Sequence, residues 1–235
     1  MRPNEARAAV LARIGAALRP DAPKSIQSGD ETASLPEPYV STGRLDAEAR
    51  LALFTERLRE YDAQVLATTP EDLAKTLAAL LQEEPSSESS GQNCQPEQPK
   101  SSSRWVVAEG FSTDWLRLSP RTSAEAEADL LSLDQAAGVI TACTVAIAVT
   151  GTLVLTHSAG EGQRRTTLVP DRHVCVVRSS QVVETVPEAF ARLAPFATRP
   201  ITFISGPSAT ADIEMTRIRG VHGPRHLTVV LVREP

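Results

Sequence analysis

Apolar residues recur at helical spacing in the first third of the chain and form short, unbroken runs in the rest. The helical spacing predicts one helix over residues 6–18, a second that begins near Leu45, and a third that begins at the Thr-Pro-Glu-Asp segment at 69–72. A short apolar run at 63–67 predicts a strand between the last two. The proline-rich, polar stretch at 21–43 predicts an extended arm.

The composition changes abruptly at residues 85–103, where the sequence reads PSSESSGQNCQPEQPKSSS. Such a segment has no large apolar side chain to bury, so it predicts a disordered surface loop with Cys94 exposed. The chain is therefore expected to contain an N-terminal helix and extended arm over 1–44 and an α/β domain over 45–235, with this loop inside the domain.

After the loop, short apolar runs alternate with helix signals. The runs predict strands at 105–108, 138–144, 153–156, 174–177, 201–204 and 227–232, and the signals predict helices at 124–131 and 187–193. Several runs are apolar at successive positions, which is typical of strands buried on both faces. The pattern predicts an α/β protein with a largely parallel or mixed sheet.

The stretch at 135–160 contains no charged residue and is long enough to cross a bilayer. However, five threonines and two internal glycines interrupt it, and no basic cluster flanks it. We therefore expect no membrane span here, but two buried elements that meet at a glycine turn.

The distribution of charged residues limits the kinds of molecule that the chain is expected to bind. The 235 residues have a net charge of −5, yet residues 163–235 hold 10 basic and 6 acidic side chains, which suits a small anionic ligand. Basic residues are too dilute and aromatic residues too few, at 4%, for a nucleic-acid surface. No lysine follows Lys100, which excludes a phosphate-loop lysine and a Schiff-base lysine from the region beyond it.

The three cysteines, Cys94, Cys143 and Cys175, form no Cys-x-x-Cys pair, so neither a disulfide framework nor a metal or iron–sulfur site has its usual spacing. We expect this chain to bind no metal or cofactor, and any iron–sulfur cluster that it works with to lie on a partner. The N-terminus lacks the apolar run of a signal peptide, which predicts a cytoplasmic protein. The sequence leaves the oligomeric state open, with a homo-oligomer among the options.

A Gly/Ser/Thr-rich turn follows the apolar run at 201–204 and is the first candidate ligand site, because ligands of open α/β sheets bind beyond the carboxyl ends of strands. Its backbone N–H groups and hydroxyls can hold an anion. Asp212 is the candidate proton acceptor at the start of a predicted helix; alternatively, Thr210 caps this helix and Asp212 only complements its dipole. The ligand-binding candidates in this turn are Ser205, Gly206, Pro207, Ser208, Thr210 and Glu214.

Two further loops are candidates. Thr150, Gly151 and Thr152 combine two hydroxyls with a glycine that lets a ligand approach, and the segment by itself favours the alternative of a tight turn. His222 is a second candidate catalytic residue, next to the ligand-binding candidate Gly223, and a structural histidine is the alternative. A crossover at 160–173 could bring Arg164, Arg165 and His173 to the same place.

Four motifs in this order resemble the LUD-domain family, and within it the lactate utilization protein C branch. They are TGTLVL at 150–155, LVPDRHVCVV at 168–177, ISGPSATADIE at 204–214 and GVHGP at 220–224. The resemblance is strongest from Gly138 to the end. It departs from the family pattern at Val149, where an acidic residue is usual, and at Ala209, where a larger polar residue is common.

The resemblance implies a three-layer α/β sandwich with a central, mostly parallel sheet, similar to ribose-phosphate isomerases and coenzyme A transferases, here with an N-terminal helical extension. It also implies a subunit of a system that oxidises L-lactate to pyruvate, with iron–sulfur clusters on the partner subunits. It does not assign a catalytic step to this subunit. The alternative is a stand-alone enzyme that binds a sugar phosphate or a nucleotide-like ligand.

Overall fold

A six-stranded parallel sheet forms the centre of the described part of the protein. The structure is a computed structural model, and it describes residues 11–13, 15–16, 41–82, 104–119, 122–210, 218–219 and 222–234. The chain divides into two compact units, Met1–Tyr39 and Val40–Pro235, and the described residues of the first are helical. The predicted loop at 85–103 lies outside the described residues.

The second unit contains all the elements used below. Its helices are α1 (Ala47–Glu60), α2 (Leu73–Gln82), α3 (Leu130–Gln135) and α4 (Val186–Leu193). Its strands are β1 (Gln64–Thr68), β2 (Trp105–Val107), β3 (Thr122–Ala124), β4 (Gly138–Ala142), β5 (Val145–Ile147), β6 (Thr152–Leu155), β7 (Arg172–Arg178), β8 (Val182–Val183), β9 (Thr202–Ile204), β10 (Ala209–Thr210), β11 (Ile218–Arg219) and β12 (His226–Val232). Short 3-10 helices cover Thr113–Leu116, Glu125–Glu127, Ser179–Gln181 and Ala194–Phe196.

The central sheet has the strand order β1-β12-β7-β4-β2-β3, and every neighbouring pair in it is parallel. A second sheet, β8-β5-β6-β9, is mostly antiparallel, and β10 pairs with β11 in a two-stranded sheet. The prediction of an α/β protein with a central, mostly parallel sheet is confirmed.

Alternate residues of the central strands enter two separate cores. On β7, Cys175 and Val177 pack with α1 and with the second sheet. Val174 and Val176 face the other way and pack with the leucines of α2 and with Trp105. This period of two, with both sets buried, is the reason why the strand is apolar at successive positions.

Capping residues in the sequence determine where the helices begin. Asp46 begins α1 by accepting a hydrogen bond from the Ala49 N–H at 2.8 Å. Thr185 and Glu188 form a reciprocal capping box at the start of α4. Thr69 accepts a hydrogen bond from the Asp72 N–H at 3.3 Å just before α2, as its sequence predicts.

The uncharged stretch at 135–160 forms β4, β5 and β6. Strands β5 and β6 are antiparallel and meet at the turn that contains Gly151, so the prediction of two buried elements joined at a glycine is confirmed. Among the described residues, no helix is long and apolar enough to cross a membrane.

The helix predicted at 124–131 is wrong. Residues 122–127 form β3 and a 3-10 helix, and α3 begins only after Asp129, which caps it through the Ser132 N–H. The apolar residues that suggested an earlier helix, Leu130 and Leu131, are exposed. Thr210 lies in β10, where it pairs with Ile218, and the helix predicted to follow it lies outside the described residues.

Candidate functional site

A cavity of about 250 Å³ lies where the loop at 205–208 meets the loop at 222–224. The two loops are hydrogen-bonded to each other: the Ser208 N–H donates to the Pro224 carbonyl at 2.8 Å, and the His222 N–H donates to Ser208 Oγ at 3.2 Å. The structure therefore brings together two loops that the sequence analysis proposed separately. The polar side chains that line the cavity are those of Arg164, Thr167, His173, Ser205, Ser208 and His222.

The cavity lies at the amino ends of central strands. His173 and Leu227, which line it, are the second residues of β7 and β12. The expectation that the site lies beyond the carboxyl ends holds only for β9, which ends at Ile204 in the second sheet. For the central sheet the expectation is wrong, because the second sheet carries the Ser205 loop to the opposite edge. We call this site the amino-edge cavity.

His173 provides a neutral ring in the wall of the amino-edge cavity. The side chain is 1% exposed, and Nε2 lies 2.8 Å from the buried Thr141 hydroxyl. Burial lowers the pKa of His173 to about 4. At neutral pH the ring can therefore exchange hydrogen bonds with a ligand but contributes no positive charge.

Acidification is expected to destabilise the protein through His173. The pKa is about 4 when folded and 6.5 when unfolded, so the unfolded chain binds the proton more tightly between these values. The neutral His173 ring contributes its full share to the free energy of unfolding above pH 6.5, and that free energy falls by about 3 kcal/mol as the pH drops to 4. Urea unfolding across this range measures the loss. The prediction is wrong if His173→Gln shows the same pH dependence as the wild type.

The Thr-Gly-Thr segment reaches the amino-edge cavity only through Ser205. The Thr150 and Thr152 hydroxyls are 2.7 Å apart, and the Thr152 hydroxyl lies 2.7 Å from that of Ser205. Gly151 has a φ of +58°, and a Cβ there would lie 2.9 Å from the backbone carbonyl carbon of Arg57. The glycine thus permits a tight turn packed against α1, which favours the structural interpretation of this motif.

The remaining candidates divide into three groups. Gly206, Pro207 and Gly223 line the amino-edge cavity. Thr210 lies in β10, and the predicted catalytic residue Asp212 lies outside the described residues, as does Glu214. Arg165 and Val149 do not line this cavity, whereas Arg164 does; Val149 is 40% exposed at the β5–β6 turn.

Two buried carboxylates that the sequence analysis did not select shape the loops around the sheet. Glu125 accepts hydrogen bonds from the Glu109 N–H, the Gln163 N–H and the Thr166 hydroxyl. Glu161 accepts hydrogen bonds from the N–H groups of Thr156 and Ser158 and from the hydroxyls of Thr144 and Thr156. The only sequence signal for Glu161 is that it is the first charge after a long uncharged stretch. Together these carboxylates fix the segment at 160–171, which carries Arg164 to the amino-edge cavity.

The described residues contain no cluster of side chains of the kind that binds metal ions. Among them, no group of three or more His, Cys, Asp or Glu side chains could hold a metal ion. Cys143 and Cys175 are buried, and a hydrogen bond to Cys175 together with burial raises the pKa of Cys143 well above its usual value. Metal ligation needs a thiolate, which this environment disfavours.

The described part of the chain thus forms an α/β domain with a parallel central sheet and a polar cavity where the second sheet meets it. Residues 51–232 match the LUD domain, and the chain belongs to the LUD-domain family. The resemblance noted in the sequence is thereby confirmed.

The relatives include proteins of one branch of this family. Lactate utilization protein C of Deinococcus radiodurans is 34% identical over 215 residues, which cover 87% of this chain and 89% of that protein. Lactate utilization protein C of Bacillus pumilus is 29% identical over 83% of this chain and 82% of its own length. The crystal structure of a DUF162 family protein from Deinococcus radiodurans has a TM-score of 0.64 at 31% identity and covers 80% of this chain and 99% of its own.

Proposed function

We propose that this chain acts in lactate utilization as a cytoplasmic subunit of a system that oxidises L-lactate to pyruvate. The similarity to lactate utilization protein C over 87% of the chain is the observation that carries the proposal. Within that system, the amino-edge cavity holds a small anionic ligand.

The electrons are proposed to pass to partner subunits. Oxidation of L-lactate to pyruvate releases two electrons and two protons, so the system needs an acceptor for the electrons. The cysteines of this chain lack the spacing that an iron–sulfur cluster requires, and the two that are described are buried thiols. Iron–sulfur clusters on partner chains are the acceptors that we propose, and this chain contributes ligand binding.

The lining of the amino-edge cavity suits a carboxylate. The hydroxyls of Ser205 and Ser208 can donate hydrogen bonds to it, and the exposed Arg164 supplies a positive charge. No lysine follows Lys100, so the charge has to come from an arginine. The volume of about 250 Å³ lies below the usual size of pockets for larger organic ligands. This size favours a small organic acid over the alternative of a nucleotide-like ligand.

Deletion of this chain from the organism that encodes it is expected to abolish growth on L-lactate and to leave growth on pyruvate unchanged. Wild-type chain should restore growth on L-lactate, and Ser208→Ala should restore it less well, because it removes a donor from the cavity. A tagged wild-type chain, purified from cells grown on L-lactate, should bring down proteins that contain iron and acid-labile sulfide. Undiminished growth of the deletion strain on L-lactate would show that the proposed function is wrong.

A further inference from the structure

A second cavity, of about 330 Å³, opens at the opposite edge of the central sheet. Its walls come from the loops that follow three central strands: Phe111 and Ser112 after β2, Cys143 and Thr144 after β4, and Arg178 at the end of β7. We call it the carboxyl-edge crevice. It shares no lining residue with the amino-edge cavity.

The crevice lies where the direction of the chain connections reverses. Strands β2 and β4 are neighbours in the sheet, but the next central strand after β2 is β3, on one side, and the next central strand after β4 is β7, on the other side, reached by way of β5 and β6 of the second sheet. The two loops therefore diverge and open a gap between them. Ligands of open parallel sheets bind in such a gap, beyond the carboxyl ends of the strands.

Arg178 supplies the positive charge of the crevice. Its guanidinium lies 5.1 Å from the centre of the Trp115 ring, which holds it at the rim. Its ion pair with Glu234 spans 3.9 Å from Nε to Oε1, which is longer than a hydrogen bond. The guanidinium can therefore offer its paired N–H donors to a carboxylate.

Glu161, which also lines the crevice, supplies a hydrogen-bond acceptor. The side chain is 4% exposed, and its two oxygens are used unequally. Among the described residues, Oε2 accepts three hydrogen bonds, whereas Oε1 accepts only that of the Thr144 hydroxyl, at 2.5 Å. Because a carboxylate oxygen has two lone pairs, Oε1 can accept one more hydrogen bond.

We propose that the carboxyl-edge crevice binds a short-chain 2-hydroxycarboxylate. The carboxylate pairs with Arg178, the hydroxyl donates to Glu161 Oε1, and the carbon chain contacts Phe111 and Val176. A hydroxyl has the single donor that Oε1 can accept, whereas the ammonium of an amino acid would bury donors without partners. The inference extends the proposed function, since L-lactate belongs to this class, but its test needs only binding.

The fluorescence of Trp115 can report binding in the carboxyl-edge crevice. The chain has two tryptophans; Trp105 is buried in the core, and Trp115 lines the crevice beneath Arg178. Titration of the full chain with L-lactate is expected to change tryptophan fluorescence saturably, and Trp115→Phe should remove the change while calorimetry still detects binding. Propionate, which lacks the hydroxyl, and L-alanine should each bind at least about tenfold more weakly.

Arg178→Gln should weaken L-lactate binding at least about tenfold, because a charged pair is lost. Its matched control is Arg165→Gln, an exposed arginine that lines neither cavity and should bind as the wild type does. Unfolding curves of both variants check that the fold is retained.

Three results would overturn the inference: no response to L-lactate, equal binding of propionate or L-alanine, or binding that Ser208→Ala removes and Arg178→Gln leaves intact. The last would place the ligand in the amino-edge cavity. None of these results alters the growth phenotype of the deletion strain, so the proposed function stands or fails separately.

Discussion

Replacement of Glu125 by alanine is expected to lower the free energy of unfolding by about 3 kcal/mol or more, since each buried donor without an acceptor costs about 1 to 3 kcal/mol. Glu125 is 2% exposed and is the acceptor for two backbone N–H groups and the Thr166 hydroxyl. These donors belong to two loops, one after β2 and one before β7, so loss of the carboxylate leaves donors of both loops without this acceptor.

Chemical denaturation of the purified chain measures this change. Glu127→Ala is the matched control, because Glu127 lies in the same 3-10 helix and its side chain is exposed. The control should change the free energy of unfolding by less than about 0.5 kcal/mol, as is usual for surface substitutions. Equal effects of the two substitutions would contradict the role assigned to Glu125.

Gly206→Ala is expected to lower the free energy of unfolding by about 2 to 3 kcal/mol and to weaken ligand binding in the amino-edge cavity. Gly206 has a φ of +83°, and a Cβ there would lie 2.5 Å from the Cβ of Tyr61 and 3.1 Å from its carbonyl oxygen. Relief of this overlap must move the loop away from the end of α1. Ser205 and Ser208 would move with it.

Gly223→Ala provides the control for this substitution, since it lies in the other loop of the same cavity. A Cβ at Gly223 would meet nothing closer than 3.5 Å, and its φ is outside the left-handed region. Thermal unfolding should show a lower Tm for Gly206→Ala and little change for Gly223→Ala. A larger loss for Gly223→Ala would mean that the backbone conformation at Gly206 is not what limits the loop.

The central strands could be predicted because a strand that is buried on both faces has an unbroken run of apolar residues. The runs that form β7 and β12 are apolar at successive positions, as expected of strands in a sheet covered on both faces. The helix predicted at 124–131 failed because the charged residue Glu125 is buried, while Leu130 and Leu131 face outward. Apolar spacing cannot reveal a buried carboxylate that stabilises loops.

The candidate site could be predicted only in part, for a topological reason. The loops at 205–208 and 222–224 were identified from their turn chemistry, and they do converge on one cavity. The edge of the central sheet at which they meet depends on how the second sheet packs, which no local pattern encodes. His173 was noticed only for its proximity along the chain, and its burial beside Thr141 becomes visible only in the folded structure.

Strand β7 carries His173 near its first residue and Arg178 at its last, an odd number of positions apart. Alternate residues point to opposite faces, so the two side chains lie on opposite sides of the sheet, about 16 Å apart along the strand. The packed strands between them leave no passage through the described part of the sheet. A molecule released from one cavity would therefore reach the other only around the outside of the domain, so each cavity would load and empty independently.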